Sequence, residues 1–407
     1  MGGFWGLLNR FTKAIARDSG PTYTRSGEFS TLMTDSSRVF PHAMLREIYE
    51  QPAAMLEAMR RNVAGDTLFP DMLHPIENAL FAFKKIIIAA SGSSRHAGLV
   101  GEIMMEDLAG VAVDVEYASE YCYRSTHAGA DPIVLVITQS GETADTIAAQ
   151  REAANRGAKT IAISNVAAST IVREASAALH THAGIEKAVP ATKSFTTQLT
   201  VLYLFALFLA RKRGRMTSEV TRVHLDRLAQ IPNIINQSLA TWETQTLALA
   251  KLHQRAKAFI FLGRGVHYAI AREGALKLKE VSYVHAEGMP TGELRHGPSA
   301  LVDENLPVVM LATHDPNDPD SVLRHRKTLA VLEYVKSRGG QPVVIASEGD
   351  REVAAITDHV VTVPAAVELL LPLLEVVPLQ LFSYHFAVLN GANVDSPRNL
   401  AKAVLTE

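Results

Sequence analysis

A single cysteine, Cys122, in 407 residues rules out an intrachain disulfide and a cysteine-rich zinc site, and it fits a reducing cytoplasm. An excess of either charge is also missing. Forty Lys and Arg stand against 42 Asp and Glu, a formal −2, so the balance favours neither nucleic acid nor an anionic membrane as partner. A small ligand is the better expectation. Long apolar runs are scarce: residues 199–210 are too few for a membrane span, and 368–389 are interrupted by Pro372, Glu375 and Pro378. Both are expected as buried helices. Neither a Walker motif nor a GxGxxG fingerprint occurs at the loops considered below, which withdraws support from ATP and NAD. With 47% hydrophobic and 20% charged residues, the chain has enough material for two or three cored domains. Residues 1–43 begin amphipathic and mildly basic, turn polar, and lack a secretory cleavage pattern; a poorly ordered or partly helical extension is expected there.

KKIIIAASGSSRHAG (84–98) is a short apolar run that ends in small polar residues and enters a helical pattern. PIVLVITQSGETADT (132–146) repeats that grammar, and AKTIAISN (158–165) adds another strand. KAFIFLGRGVHYAIAREGALKL (257–278), NLPVVMLATHDPNDPDSV (305–322) and GQPVVIASEGD (340–350) repeat it again. Strands alternating with helices predict parallel sheets flanked by helices, and hence an α/β fold of two doubly wound, three-layer domains at 44–212 and 248–395. A helical segment at 213–247 is expected to connect them, and 396–407 forms a tail. Ligands of such sheets bind beyond the carboxyl ends of the strands, which directs attention to the loops SGSS, TQSGET and GRG.

Ser91, Ser93 and Ser94 in the first loop, with Thr138, Gln139, Ser140 and Thr143 in the second, place hydroxyls and amides at helix N-termini. That makes an anion cradle without a lysine. One serine-rich turn is more often a helix cap; two beyond neighbouring strands favour a phosphorylated small molecule. Glu273, Lys277 and Glu280, spaced by four and three, share one helix face, while Ala275, Leu278 and Val281 occupy another. The bland alternative is a solvated salt-bridge stripe. Against it, the turn-rich GELRHGP (292–298) could return His296 to the helix, and a carboxylate with an imidazole suits proton relocation. Spacing alone leaves both readings open. His74, His285 and the other histidines show no metal-ligand spacing.

SGETADT (140–146), TKSFTTQLTVL (192–202), FLGRG (261–265), EGALKLKEVSYVHAE (273–287), GELRHGP and SPRNLAKAV (396–404) together resemble the isomerase half of glucosamine-6-phosphate synthase, a pair of sugar isomerase (SIS) domains. The resemblance implies a sugar-phosphate site of Ser93, Ser94, Thr138, Gln139, Ser140, Thr143, Val189 and Ala191. It implies Glu280 as the acid-base between C1 and C2, with Lys277 beside it, and His296 as the ring-opening group reaching the site from a neighbouring subunit, hence a homodimer. It makes Lys402 the lysine that forms a Schiff base with the open-chain ketose. No cofactor and no metal are expected.

Two departures bear on the reaction. The synthase begins with a glutaminase domain carrying an N-terminal cysteine, whereas this chain starts MGGFW with no domain of that size before Met44; glutamine cleavage by that route is not expected. In EKAVPATKS (186–194), Pro190 and Ala191 stand where the synthase typically has alanine and serine, which touches substrate preference. The resulting expectation is a cytoplasmic glucosamine-6-phosphate deaminase of the SIS type. Its alternatives are a synthase-like activity with ammonia from elsewhere, a fructosamine-phosphate deglycase and a phosphosugar-binding regulator.

Overall fold

In the computed structural model the described residues are 38–124 and 132–405, so the N-terminal extension up to residue 37 lies outside them. A first helix, α1 (Ala43–Asn62), precedes β1 (Lys85–Ala90), α2 (Gly92–Ala109), β2 (Ala112–Tyr117), β3 (Ile133–Thr138), α3 (Ala144–Asn155), β4 (Lys159–Ser164) and β5 (Ala177–His180). Helices α4 (Lys193–Lys212) and α5 (Ser218–Leu252) lead to β6 (Ala258–Gly263), α6 (Val266–Ser282), β7 (His285–Pro290) and β8 (Pro307–Ala312). The chain continues through α7 (Pro319–Ser337), β9 (Gln341–Ser347), β10 (Val360–Val363) and α8 (Leu371–Leu389), with short helical turns between.

The first sheet runs β2-β1-β3-β4-β5 and the second β10-β9-β8-β6-β7, with every neighbouring pair parallel. Counted from its own first strand, each sheet has the order 2-1-3-4-5, so the two domains share one doubly wound topology. The central strands are predominantly apolar because helices cover both their faces; β3 and β8 are buried at every residue.

A single apolar core lies between the sheets and draws on α1, α2, α4, α5, α6 and α8. Smaller cores sit under the outer helices α3 and α7. The two apolar runs are both inside: α4 and the 368–389 segment are each 94% buried over their most hydropathic stretch. Prolines do not break the second run. Pro372 starts α8, where its missing N–H costs nothing, and Pro378 is carried within the helix. The segment expected as a connector is one 35-residue helix, α5, capped by Thr217. Leu225, Leu228, Ile231, Ile235, Leu239 and Trp242 line its buried side, and Trp242 Nε1 donates to the Thr362 carbonyl of β10 at 2.8 Å. It is part of the shared core. Helix α6 of the second domain packs on α2 of the first, and this seam carries the candidate site.

Candidate active site

Loops 91–94 and 138–143 follow β1 and β3, which are adjacent in the first sheet, at the point where strand order reverses. An open parallel sheet leaves its crevice there. The hydroxyls are not used up in capping. Neither Ser91, at the N-cap of α2, nor Thr143, at that of α3, makes a side-chain cap bond. Gln198 Nε2 of α4 donates to Ser94 Oγ at 3.0 Å, Thr138 Oγ1 meets Thr143 Oγ1 at 3.1 Å, and the Glu142 N–H donates to Ser140 Oγ at 3.2 Å. Ser93 Oγ instead donates to Glu273 Oε1 of α6 at 2.8 Å, so this hydroxyl ties the first loop to the second domain.

Gly141 holds the second loop in shape with φ +72°, in the left-handed region. A Cβ there would stand 2.0 Å from Ser169 Oγ and 2.3 Å from Ser169 Cβ. Gly141→Ala is therefore expected to cost about 1–3 kcal/mol from backbone strain alone. It should also weaken phosphosugar binding about tenfold. Denaturant unfolding and calorimetric titration check both, and unchanged affinity would free the loop of any part in binding.

The charged face of α6 is not a solvated stripe, since Glu273 is 0% and Lys277 1% exposed. Lys277 Nζ lies 2.5 Å from Glu280 Oε2, an ion pair off the directional geometry of a hydrogen bond, and 3.5 Å from Glu273 Oε1. Glu273 also accepts from His96 Nδ1 of α2 at 2.8 Å. The two acids of this cluster respond oppositely. Burial pushes the Glu280 carboxyl up against the pull of Lys277, and the nearby Glu273 charge adds to the rise. For Glu273, burial is outweighed by Lys277, His96 and Ser93, which hold it below the ordinary value. Burial would lower Lys277, but Glu280 and Glu273 raise it, so it stays an ammonium. One acid is thus a fixed anion, while the other, with its side chain 22% exposed, is the proton carrier the pair can offer.

A third segment closes the site. The tail's Lys402 Nζ donates to Glu186 Oε2 at 2.5 Å and to the Ala188 carbonyl at 2.7 Å. Glu186 is buried; burial would raise its pKa, yet Lys402 and the Thr192 and Ser194 amides outweigh this and hold it low. Two further bonds fix the tail: the Arg398 N–H donates to Tyr283 Oη at 3.0 Å, and the Val404 carbonyl accepts from the Ala144 N–H at the start of α3, also at 3.0 Å. The tail thus runs from the end of α6 to the second hydroxyl-rich loop. Val189, whose N–H donates to the Asp395 carbonyl at 2.9 Å, and Ala191 are half-buried, while Pro190 is buried. Buried Glu47 of α1 accepts from the Lys187 N–H at 2.5 Å and the Ala188 N–H at 3.2 Å, fixing this loop from behind.

His296 is exposed on a 3-10 turn at Thr291–His296, and among the described residues no bond joins it to Glu280, Lys277 or Lys402. Sequence reasoning missed Glu186, His96 and Gln198 and read Glu273 only as part of a helix face. They fall within stretches quoted above, but nothing local singles them out, because their partners lie far along the chain, such as Lys402 at 216 residues from Glu186. The corresponding crevice of the second sheet is filled differently. There His267 sits between Glu375 Oε1 at 2.5 Å and Glu368 Oε1 at 3.0 Å, Arg324 Nε donates to Glu368 at 2.6 Å, and Thr313 donates to Glu375. Burial would raise Glu368, but His267 and Arg324 hold it far below the carboxylate range. Buried Glu375 and half-buried Glu368 place two carboxylates in that crevice, which disfavours an anion there.

Comparison with known proteins agrees with this fold. The SIS domain pattern matches residues 79–208 and 252–390. The isomerizing glutamine–fructose-6-phosphate aminotransferase of Chlorobaculum tepidum is 45% identical over 370 residues, 90% of this chain and 59% of that protein. The chain thus spans about three-fifths of the length of the curated relatives it matches. The C-terminal domain of glucosamine-fructose-6-phosphate aminotransferase from Francisella tularensis superimposes with a TM-score of 0.82 at 36% identity, covering 88% of this chain and 99% of that one. A glucosamine-6-phosphate deaminase from Thermotoga maritima matches in fold, with TM-score 0.66 at 21% identity over 89% and 99%. The chain belongs to the SIS domain family, as a two-domain member matching the isomerase half of the glucosamine-6-phosphate synthases.

Proposed function

We propose that the two domains interconvert glucosamine 6-phosphate and water with fructose 6-phosphate and ammonia, running as a deaminase wherever ammonia is free and dilute against water at about 55 M. The observation that carries this reading is the Lys277–Glu280 pair on α6, set against the first domain's serine loop through Glu273, Ser93 and His96. Ser94, Gln139, Ser140 and Thr143 hold the phosphate. His296, supplied by a second copy of the chain, passes the anomeric hydroxyl proton to the ring oxygen and opens the sugar; its exposure on a surface turn suits a homodimer with a shared site. The Glu280 carboxylate takes the C2 proton and returns it to C1, and the Lys277 ammonium stabilises the negative charge that develops on the sugar oxygen between the two steps. The C2 imine then adds water and expels ammonia. Lys402, after leaving Glu186 and the Ala188 carbonyl and giving up a proton, adds its amine to the ketose C2 carbonyl and expels water as an imine, which a later water hydrolyses to release ketose and amine. Every step is a proton transfer or an addition to a carbonyl or imine, so the chemistry calls for no cofactor and no metal.

A second reading, the reverse reaction as an ammonia-fed synthase, is favoured by the naming of the 45% and 42% identical relatives as aminotransferases. Both are tested by following ammonia release from glucosamine 6-phosphate beside glucosamine 6-phosphate formation from fructose 6-phosphate and ammonium. Ammonia release supports the deaminase, and formation alone supports the synthase. Absence of both with retained phosphosugar binding would overturn catalysis and leave a sensor.

A further inference from the structure

Three side chains with no common motif meet at the C-terminal ends of β8 and β9: His314, His325 and Asp350. One ligand-type atom from each lies within 4.8 Å of those from the other two. His314 is in the loop after β8, His325 is 3% exposed on α7, and Asp350 is in the turn after β9, 25 residues from His325. That scatter explains why the histidines show no ligand spacing in the sequence.

Asp350 and His314 are each oriented by bonds outside the cluster. Asp350 Oδ1 caps the short helix Arg351–Ala354, accepting from the Glu352 and Val353 N–H groups, so its other oxygen, Oδ2, is turned to His325 Nε2 at 2.7 Å. The His314 backbone is clamped by Ser347 Oγ, which accepts its N–H at 2.9 Å and donates to its carbonyl at 3.2 Å. The two imidazoles pack against each other with centroids 4.1 Å apart and planes tilted by 33°. His314 Nδ1 is buried with no hydrogen-bond partner. Such outer bonds are what orient ligands in metal centres. A plain structural ion pair needs only His325 and Asp350, and it gives no account of a second imidazole packed beside them with an unmet nitrogen.

Two imidazoles and a carboxylate suit a borderline ion of the zinc class, whereas Ca²⁺ and Mg²⁺ prefer all-oxygen sets. With bonds of about 2.0–2.2 Å, neighbouring ligand atoms of a tetrahedral site stand about 3.4 Å apart, within reach of this cluster by small side-chain rotations. We propose that His314, His325 and Asp350 bind one divalent transition-metal ion of the zinc class, with its fourth position left to water. The ion joins the β8 loop, α7 and the β9 turn, on the domain that does not hold the sugar phosphate. The inference stands apart from the isomerase reading.

The test uses the full chain, stripped with a chelator and titrated calorimetrically with zinc chloride, and separately with cobalt(II) chloride while visible absorption is recorded. One equivalent is expected to bind, with cobalt bands of a low-coordinate site. His314→Ala should weaken zinc binding at least tenfold and abolish the bands. Asp350→Asn, which keeps the capping oxygen, should do the same and decides the matter if the first variant fails to fold. His74→Ala, at an exposed histidine of the other domain, should change neither. No stoichiometric binding by the unmodified chain, or binding unaltered in both site variants, overturns the proposal.

Discussion

Glu280→Gln is expected to lower kcat by about 10²–10⁴-fold while phosphosugar affinity changes by less than about threefold, because proton transfer by a positioned group is worth that much and the amide keeps the shape. The substitution removes the proposed acceptor of the C2 proton yet leaves the serine loops and Glu273 in place. The pH profile supplies a second readout. A general base works deprotonated, and burial raises Glu280 above the ordinary carboxylate value of about 4.3, so activity should fall in acid at a higher pH than an exposed glutamate would give. That acid limb should vanish from the residual rate of the variant. Undiminished turnover, or a limb that persists, would remove Glu280 from the mechanism.

Cutting the chain after Leu400 is expected to leave both domains folded and to reduce turnover by about 10²-fold or more, with Lys402→Met reproducing the loss in an intact tail. The stability cost should be modest. Breaking a fully buried ion pair costs about 3–5 kcal/mol, but the Lys402 side chain is 27% exposed, which brings the expectation to about 1–2 kcal/mol. Its pH dependence has a definite sign. Glu186 sits below its unfolded value of about 4.3, so its contribution is fully present above that value and is lost as pH falls through the folded one. The truncated and full chains should differ most at neutral pH and converge in acid. Thermal unfolding across pH checks this, and a truncated chain with full activity would show that Lys402 is dispensable.

Six strands were legible in the sequence, namely β1, β3, β4, β6, β8 and β9, and these are the six central strands of the two sheets. The four missed, β2, β5, β7 and β10, are the four edges. A central parallel strand is covered on both faces and so reads as a continuous apolar run, whereas an edge strand is half-exposed. HAEGMP, with its glycine and proline, looks like a loop and is strand β7 only because β8's neighbour β6 offers it a free edge. In the site, the hydroxyl loops and the spacing of Glu273, Lys277 and Glu280 were visible because they are local. The second loop's dependence on Gly141, the reach of the tail to Glu186 and the seam of α6 on α2 were not.

By itself the sequence determined the repeated strand, turn and helix, the two hydroxyl-rich loops and the shared helix face of Glu273, Lys277 and Glu280, since each depends on residues within a few positions of one another. Only the tertiary structure decided that the α6 charges are buried rather than solvated, that Glu186 receives Lys402, and that His314, His325 and Asp350 converge. Burial and charge pairing fix proton affinities and ligand sets, and both are made by contacts between segments that the chain brings together only on folding.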